Sequence, residues 1–212
     1  MRRAEALERL LEAANEQGGY VNGPQVARLG VGRKDIDRLV AAGDLRRVRR
    51  GVYSMRHARS RFEDEMGAWL HLQRDVLPWE CREEPRAVLS HESAAGFHGL
   101  GTIVSGRPTF TALGGTRATA AADLKLHHMQ LRPQDWSWER DESLRLPLTT
   151  PARTIVDLLL SGEEPSYVER AMREALAREQ TTPEAVRDAA RHRKSNSKTI
   201  ERRIERLLGD VG

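Results

Sequence analysis

Residues 19–53 read GYVNGPQVARLGVGRKDIDRLVAAGDLRRVRRGVY, and the fold of the N-terminal part turns on them. Asn22 precedes Gly23-Pro24, which places a capping side chain just ahead of a proline in a first turn, where a missing N–H costs nothing. Val26 and Leu29 then face inward on a short helix, and Gly30-Val31-Gly32 makes a turn. A second helix is predicted from about Arg33 to Ala42, with Ile36, Leu39 and Val40 on one face and Arg33, Lys34, Asp37 and Arg38 on the other, ending at Gly43. Two short helices joined by a glycine-containing turn form a helix-turn-helix. Asp44–Val48 and Gly51–Ser54 follow as two short strands around Arg49-Arg50, a wing. In such a module the second helix enters the major groove of duplex DNA and flanking cations hold phosphates. Arg33, Lys34, Asp37 and Arg38 are the expected DNA contacts on this helix, the three cations placed to read or clamp, and Arg46, Arg47, Arg49 and Arg50 are expected to grip the backbone or reach a minor groove. Neutralising about six phosphates would make affinity fall with roughly the fifth power of salt concentration.

Upstream, Ala4, Leu7, Leu10, Leu11 and Ala14 recur at three- and four-residue steps, a helix with one buried stripe stopped by Gly18-Gly19. Downstream, 61–77 reads as a helix closed by Pro78, and Ser90 as the cap of another that carries Ala94, Ala95 and Phe97. Strands are predicted at Thr109–Leu113, Leu124–Leu131 and Leu144–Leu148, in an antiparallel sheet because no helical crossover fits between the first two. Helices follow from Thr150-Pro151, from a capping box at Ser166–Glu169, at Thr181–Arg191 and at Ser197–Leu208. The predicted architecture is α+β: a winged helix-turn-helix at 1–58, then at 59–212 an α+β domain with a small, mainly antiparallel sheet and a helical C-terminal half.

Charge is divided unevenly along the 212 residues. Residues 1–60 hold 13 basic and 7 acidic side chains, 61–184 hold 14 and 20, and 185–212 hold 8 and 4, giving +6, −6 and +4. A basic N-terminal module on an acidic body fits an approach to a polyanion through the first part only, and the basic tail reads first as a solvated helix face. The longest apolar run, Ile155–Leu160, is broken by Asp157, so no membrane span is expected. Glu5, Glu8 and Glu12 interrupt any signal-peptide core, and a single cysteine, Cys81, suits a reducing, cytoplasmic setting.

Spacing argues against catalysis, a metal and a cofactor. His127 and His128 point to opposite faces of a strand, and His91 and His98 sit near opposite ends of one helical segment. Ser90, His91 and Glu92 are adjacent and cannot line up as nucleophile, base and orienter. Gly114-Gly115-Thr116-Arg117 lacks the lysine and spacing of a phosphate loop, and Gly99-x-Gly101 lacks a third glycine.

The 19–53 segment resembles the N-terminal winged helix of the AbiEi family of antitoxins. SHESAAGFHGL at 90–100 and LTTPARTIVDL at 148–158 are similar to two further segments typical of these proteins, in the same order. The resemblance implies a non-enzymatic type IV antitoxin that binds double-stranded promoter DNA to repress its own operon and counteracts a nucleotidyltransferase toxin. It also implies that antitoxicity resides largely in the body. DNA would be occupied by two or more copies on inverted repeats. Two rivals remain open: a transcription factor whose body senses a small molecule, and a DNA-targeted nuclease, since some proteins with this front half carry one. Asp123-Leu124-Lys125 matches the carboxylate–lysine triplet of such a nuclease, but the region after 160 reads as helices.

Overall fold

The computed structural model describes residues 2–81, 85–103, 105–114, 122–141, 144–193 and 197–211. The chain forms two compact units, one of Met1–Ala87, Ala112–Thr119 and Trp138–Leu146, the other of Val88–Thr111, Ala120–Ser137 and Pro147–Gly212.

In the first unit the order is α1 (Arg3–Glu16), β1 (Tyr20–Asn22), α2 (Gly23–Arg28), α3 (Arg33–Ala41), β2 (Leu45–Arg49), β3 (Val52–Met55) and α4 (Glu63–Gln73). Asn22 caps α2 as expected, accepting from the Gln25 N–H at 2.9 Å while its own N–H donates to Gln25 Oε1 at 3.1 Å. The strands form an antiparallel sheet ordered β1-β3-β2, and β1 was not foreseen. Alternation gives the sheet two unlike faces. Val21, Leu45 and Tyr53 join Leu10, Val26, Ile36 and Leu39 in the core that α1, α2 and α3 close. Tyr20, Ser54, Val52 and Arg46 alternate with these residues in the register and belong to the opposite face, where Tyr20 and Arg46 bond to Glu63 of α4. Gly19, at φ +92°, enters the sheet where an added Cβ would lie 2.6 Å from the Ala58 Cβ, so both conformation and space require glycine.

Beyond residue 86 come β4 (Ala87–Leu89), α5 (His91–His98), β5 (Thr109–Ala112), β6 (Lys125–His128), β7 (Trp136–Asp141) and β8 (Leu144–Thr149). The chain ends in α6 (Pro151–Ser161), α7 (Pro165–Ala177), α8 (Pro183–Arg191) and α9 (Ser197–Val211). A five-stranded sheet runs β6-β5-β4-β8-β7. It is mixed: Leu89 pairs with Leu148 in parallel. The parallel pair was not foreseen because β4 was not predicted, and a parallel neighbour becomes possible once a long crossover separates β4 from β8. The helical C-terminal half is as expected, its core built from Ile155, Leu158, Val168, Met172, Val186, Ile200 and Ile204.

Several boundaries differ for local reasons. Helix α4 stops at Gln73 because Arg74 turns to φ +56°, four residues before Pro78. Helix α7 starts at Pro165, and the Ser166 hydroxyl donates to Glu164 Oε1 at 2.8 Å instead of capping. Ser90 likewise makes no cap: its Oγ accepts from Thr111 Oγ1 at 3.0 Å and lies 2.9 Å from His91 Nδ1.

Candidate nucleic-acid interface

Helices α2 and α3, joined through Leu29–Gly32, make the helix-turn-helix, and the β2–β3 hairpin with Arg50-Gly51 at its tip makes the wing. Ile36 and Leu39 anchor α3 in the core, which turns Arg33, Lys34, Asp37, Arg38 and Ala41 outward; all five are exposed. Gly32 precedes the helix without a side-chain cap, and the Asp35 N–H donates to the Gly32 carbonyl at 2.9 Å, so what the N-terminus offers a phosphate is the positive end of the helix dipole and the amides ahead of Asp35. Arg33 and Lys34 make no ion pair among the described residues. Arg38 is held by Asp35 through Nη1 at 3.1 Å.

The wing splits its arginines between two tasks. Two of the four expected phosphate ligands, Arg47 and Arg50, are exposed and have no carboxylate partner among the described residues. Arg47 lies over the Tyr53 ring, 5.7 Å from its centroid. A bulge between Arg47 and Arg49 disturbs the alternation, so the tip twists away from the rest of the strand. Arg49 runs its stem along α4: a Cβ on Gly67 would lie 2.9 Å from its Cδ.

Arg46 is the exception to the expected DNA-contacting set. It grips Glu63 of α4 with both Nη atoms, the Nη1 bond being 2.9 Å, and Tyr20 donates its hydroxyl to the same carboxylate at 3.0 Å. Arg46 holds the Glu63 carboxyl below its ordinary range, with the Tyr20 hydrogen bond helping against desolvation. Burial, then Glu63, pushes Tyr20 up to about 12. Arg46 therefore ties α4 to the sheet. Helix α4 is fastened at its other end too, where Asn22 Nδ2 donates to the carbonyls of Leu70 and Arg74 at 2.7 and 2.6 Å and Gln25 Nε2 to that of Val76 at 2.7 Å.

A second polar cluster lies in the other unit, and sequence reasoning missed it. The segments 90–100 and 148–158 meet there as α5 packs on α6. His91, at φ +52° and 2% exposed, stacks on His127 at 3.9 Å between ring centroids. Glu92 meets Lys125 at 3.3 Å, so the lysine of the Asp123–Lys125 triplet is engaged in an ion pair. Arg153, 1% exposed, donates to Asp157 at 3.0 Å and to Asp135 at 3.1 Å. Burial draws the His91 pKa down to about 3, and the charges of His127, Arg193, Arg153 and Lys125 act in the same direction. The ring is thus neutral at neutral pH. The only sequence signal was the alternation that puts His127, rather than exposed His128, on the inward face.

Among the described residues no three His, Cys, Asp or Glu side chains are placed to hold a metal, and no helix is long and apolar enough to cross a membrane. Residues 115–117 of the glycine segment lie outside the described residues.

Comparison with known proteins agrees with the N-terminal geometry. Residues 8–55, from α1 to the end of β3, match the family described as "Transcriptional regulator, AbiEi antitoxin". The family resemblance carried by residues 19–53 is therefore borne out. The crystal structure of the RV2827C protein from Mycobacterium tuberculosis has a similar fold, with a TM-score of 0.58 at 16% identity over 98% of this chain and 77% of that one. No curated protein sequence matches.

Proposed function

We propose that this chain is the antitoxin of a type IV toxin–antitoxin pair, that it represses its own operon by binding promoter DNA, and that it counteracts a nucleotidyltransferase toxin without catalysing a reaction. Residues 1–58 supply the DNA-contacting surface, and residues 59–212 both brace it through α4 and carry antitoxicity. The observation that carries the reading is a winged helix-turn-helix, within the family match, that leaves Arg33, Lys34, Arg47 and Arg50 exposed and without a carboxylate partner among the described residues. An anion such as a phosphate backbone relieves the mutual repulsion of these cations.

Two copies on inverted repeats would let each α3 reach successive major grooves about 34–36 Å apart. The decisive experiment titrates the purified protein against its upstream promoter fragment and an unrelated duplex of equal length, alongside co-expression with the neighbouring nucleotidyltransferase. Preference for the promoter together with restored growth supports the proposal. Equal binding to both duplexes removes the repressor half, and unrelieved growth arrest removes the antitoxin half.

A further inference from the structure

Helix α3 carries two carboxylates on or beside its outward face, and the structure treats them differently. Asp35 is partly covered, with a side chain 16% exposed, and is engaged by Arg38. Asp37 is exposed and has neither an ion pair nor a hydrogen bond among the described residues, although Arg33 and Lys34 stand four and three positions before it. It occupies the middle of the surface that would face the duplex, between those two cations and Ala41. A carboxylate there is repelled by every phosphate it approaches and needs a donor at the groove floor to offset that repulsion. In the major groove only the amino groups of cytosine and adenine donate, whereas the edges of guanine and the O4 of thymine accept.

We propose that Asp37 is a specificity-determining residue that accepts a hydrogen bond from the N4 amine of a cytosine, while Arg38 on the same helix face donates to the guanine of that base pair. The assignment rests on the proposed docking of α3 in DNA. It places one obligatory G·C pair, in a fixed orientation, under the centre of α3. Asp37 gives up affinity for DNA in general and gains discrimination at a single position.

The sign of one substitution tests this. Asp37→Ala in the full chain is measured by titration, at fixed salt, against the promoter fragment, against variants with each base pair of the footprint replaced in turn, and against an unrelated duplex. The expected result is a loss of about 5- to 150-fold on the promoter, no loss on unrelated DNA, and disappearance of the preference for G·C at one position. Asp37→Asn, whose amide suits adenine, should shift that preference toward A·T. If Asp37 is only a surface charge, its removal tightens binding to every duplex, and that outcome overturns the assignment. A wild-type protein that does not distinguish promoter from unrelated DNA overturns both this assignment and the repressor reading, whereas tightened binding by Asp37→Ala leaves the repressor reading intact.

Discussion

Substituting Arg50 and Arg46 singly by glutamine should produce opposite phenotypes, although the two stand four residues apart in one basic run. Each phosphate neutralised on duplex DNA contributes about 0.9 to the slope of log affinity against log salt. With Arg33, Lys34, Arg47 and Arg50 as the available cations, the wild-type slope should be about −3.6, equivalent to about a 150-fold loss between 50 and 200 mM salt. Arg50→Gln should flatten the slope to about −2.7 and leave the melting temperature unchanged, since the side chain is exposed at the hairpin tip. Arg46→Gln should leave the slope alone and lower stability by about 1–2 kcal/mol, because it removes a two-pronged, half-buried grip on Glu63. Fluorescence anisotropy across a salt series, with urea unfolding of the same preparations, reads both quantities. An unchanged slope for Arg50→Gln, or a flattened one for Arg46→Gln, would refute the division of the wing.

Arg153→Met takes a buried partner from Asp135, which keeps Arg132 at 2.7 Å, and from Asp157, which keeps Arg193 at 3.8 Å, and should cost about 1.5–3 kcal/mol in chemical denaturation. Acidification should destabilise the protein through His91: its folded pKa, about 3, lies below the unfolded value near 6.5. The unfolded state therefore binds the extra proton between these values, and stability falls by about 1.4 kcal/mol per pH unit as pH drops through that window. His91→Asn, which tolerates the left-handed backbone, should remove that component from the pH dependence of urea midpoints. Gly19→Ala combines a positive φ with a 2.6 Å contact to Ala58 and should destabilise by about 1–3 kcal/mol, seen as a lowered melting temperature.

The helix-turn-helix was legible because its signals are local: the Asn22 cap, the glycine turn and the three-four spacing of Ile36, Leu39 and Val40 all lie within twenty residues. The strands that escaped were short or overlooked. Tyr20–Asn22 and Ala87–Leu89 have three residues each, too few to display a period. Trp136–Asp141 does alternate, with Trp136 and Trp138 separated by Ser137, and that signal was available. The candidate interface was legible as a set of cations but not as a division of labour. Arg46 and Arg47 differ only in which face of a strand they occupy, and what distinguishes Arg46 is Glu63, 17 positions later on a helix whose placement no local pattern reveals. The polar cluster around His91 was invisible for the same reason: its members come from α5, β6, α6 and the turn before β7, and each looks ordinary alone.

The fastening of α4 to the small sheet bears on how this gene can be cut and recombined. A fragment ending at residue 58 would keep Asn22 and Gln25 but lose the carbonyls of Leu70, Arg74 and Val76 that receive their side chains, and would uncover Tyr20 and Val52. The first compact unit also draws on 112–119 and 138–146, so a chimera that transplants it intact needs five junctions instead of one. If α3 docks in DNA as proposed, a new operator preference is therefore reached more cheaply by substitutions on its open side than by exchanging whole modules.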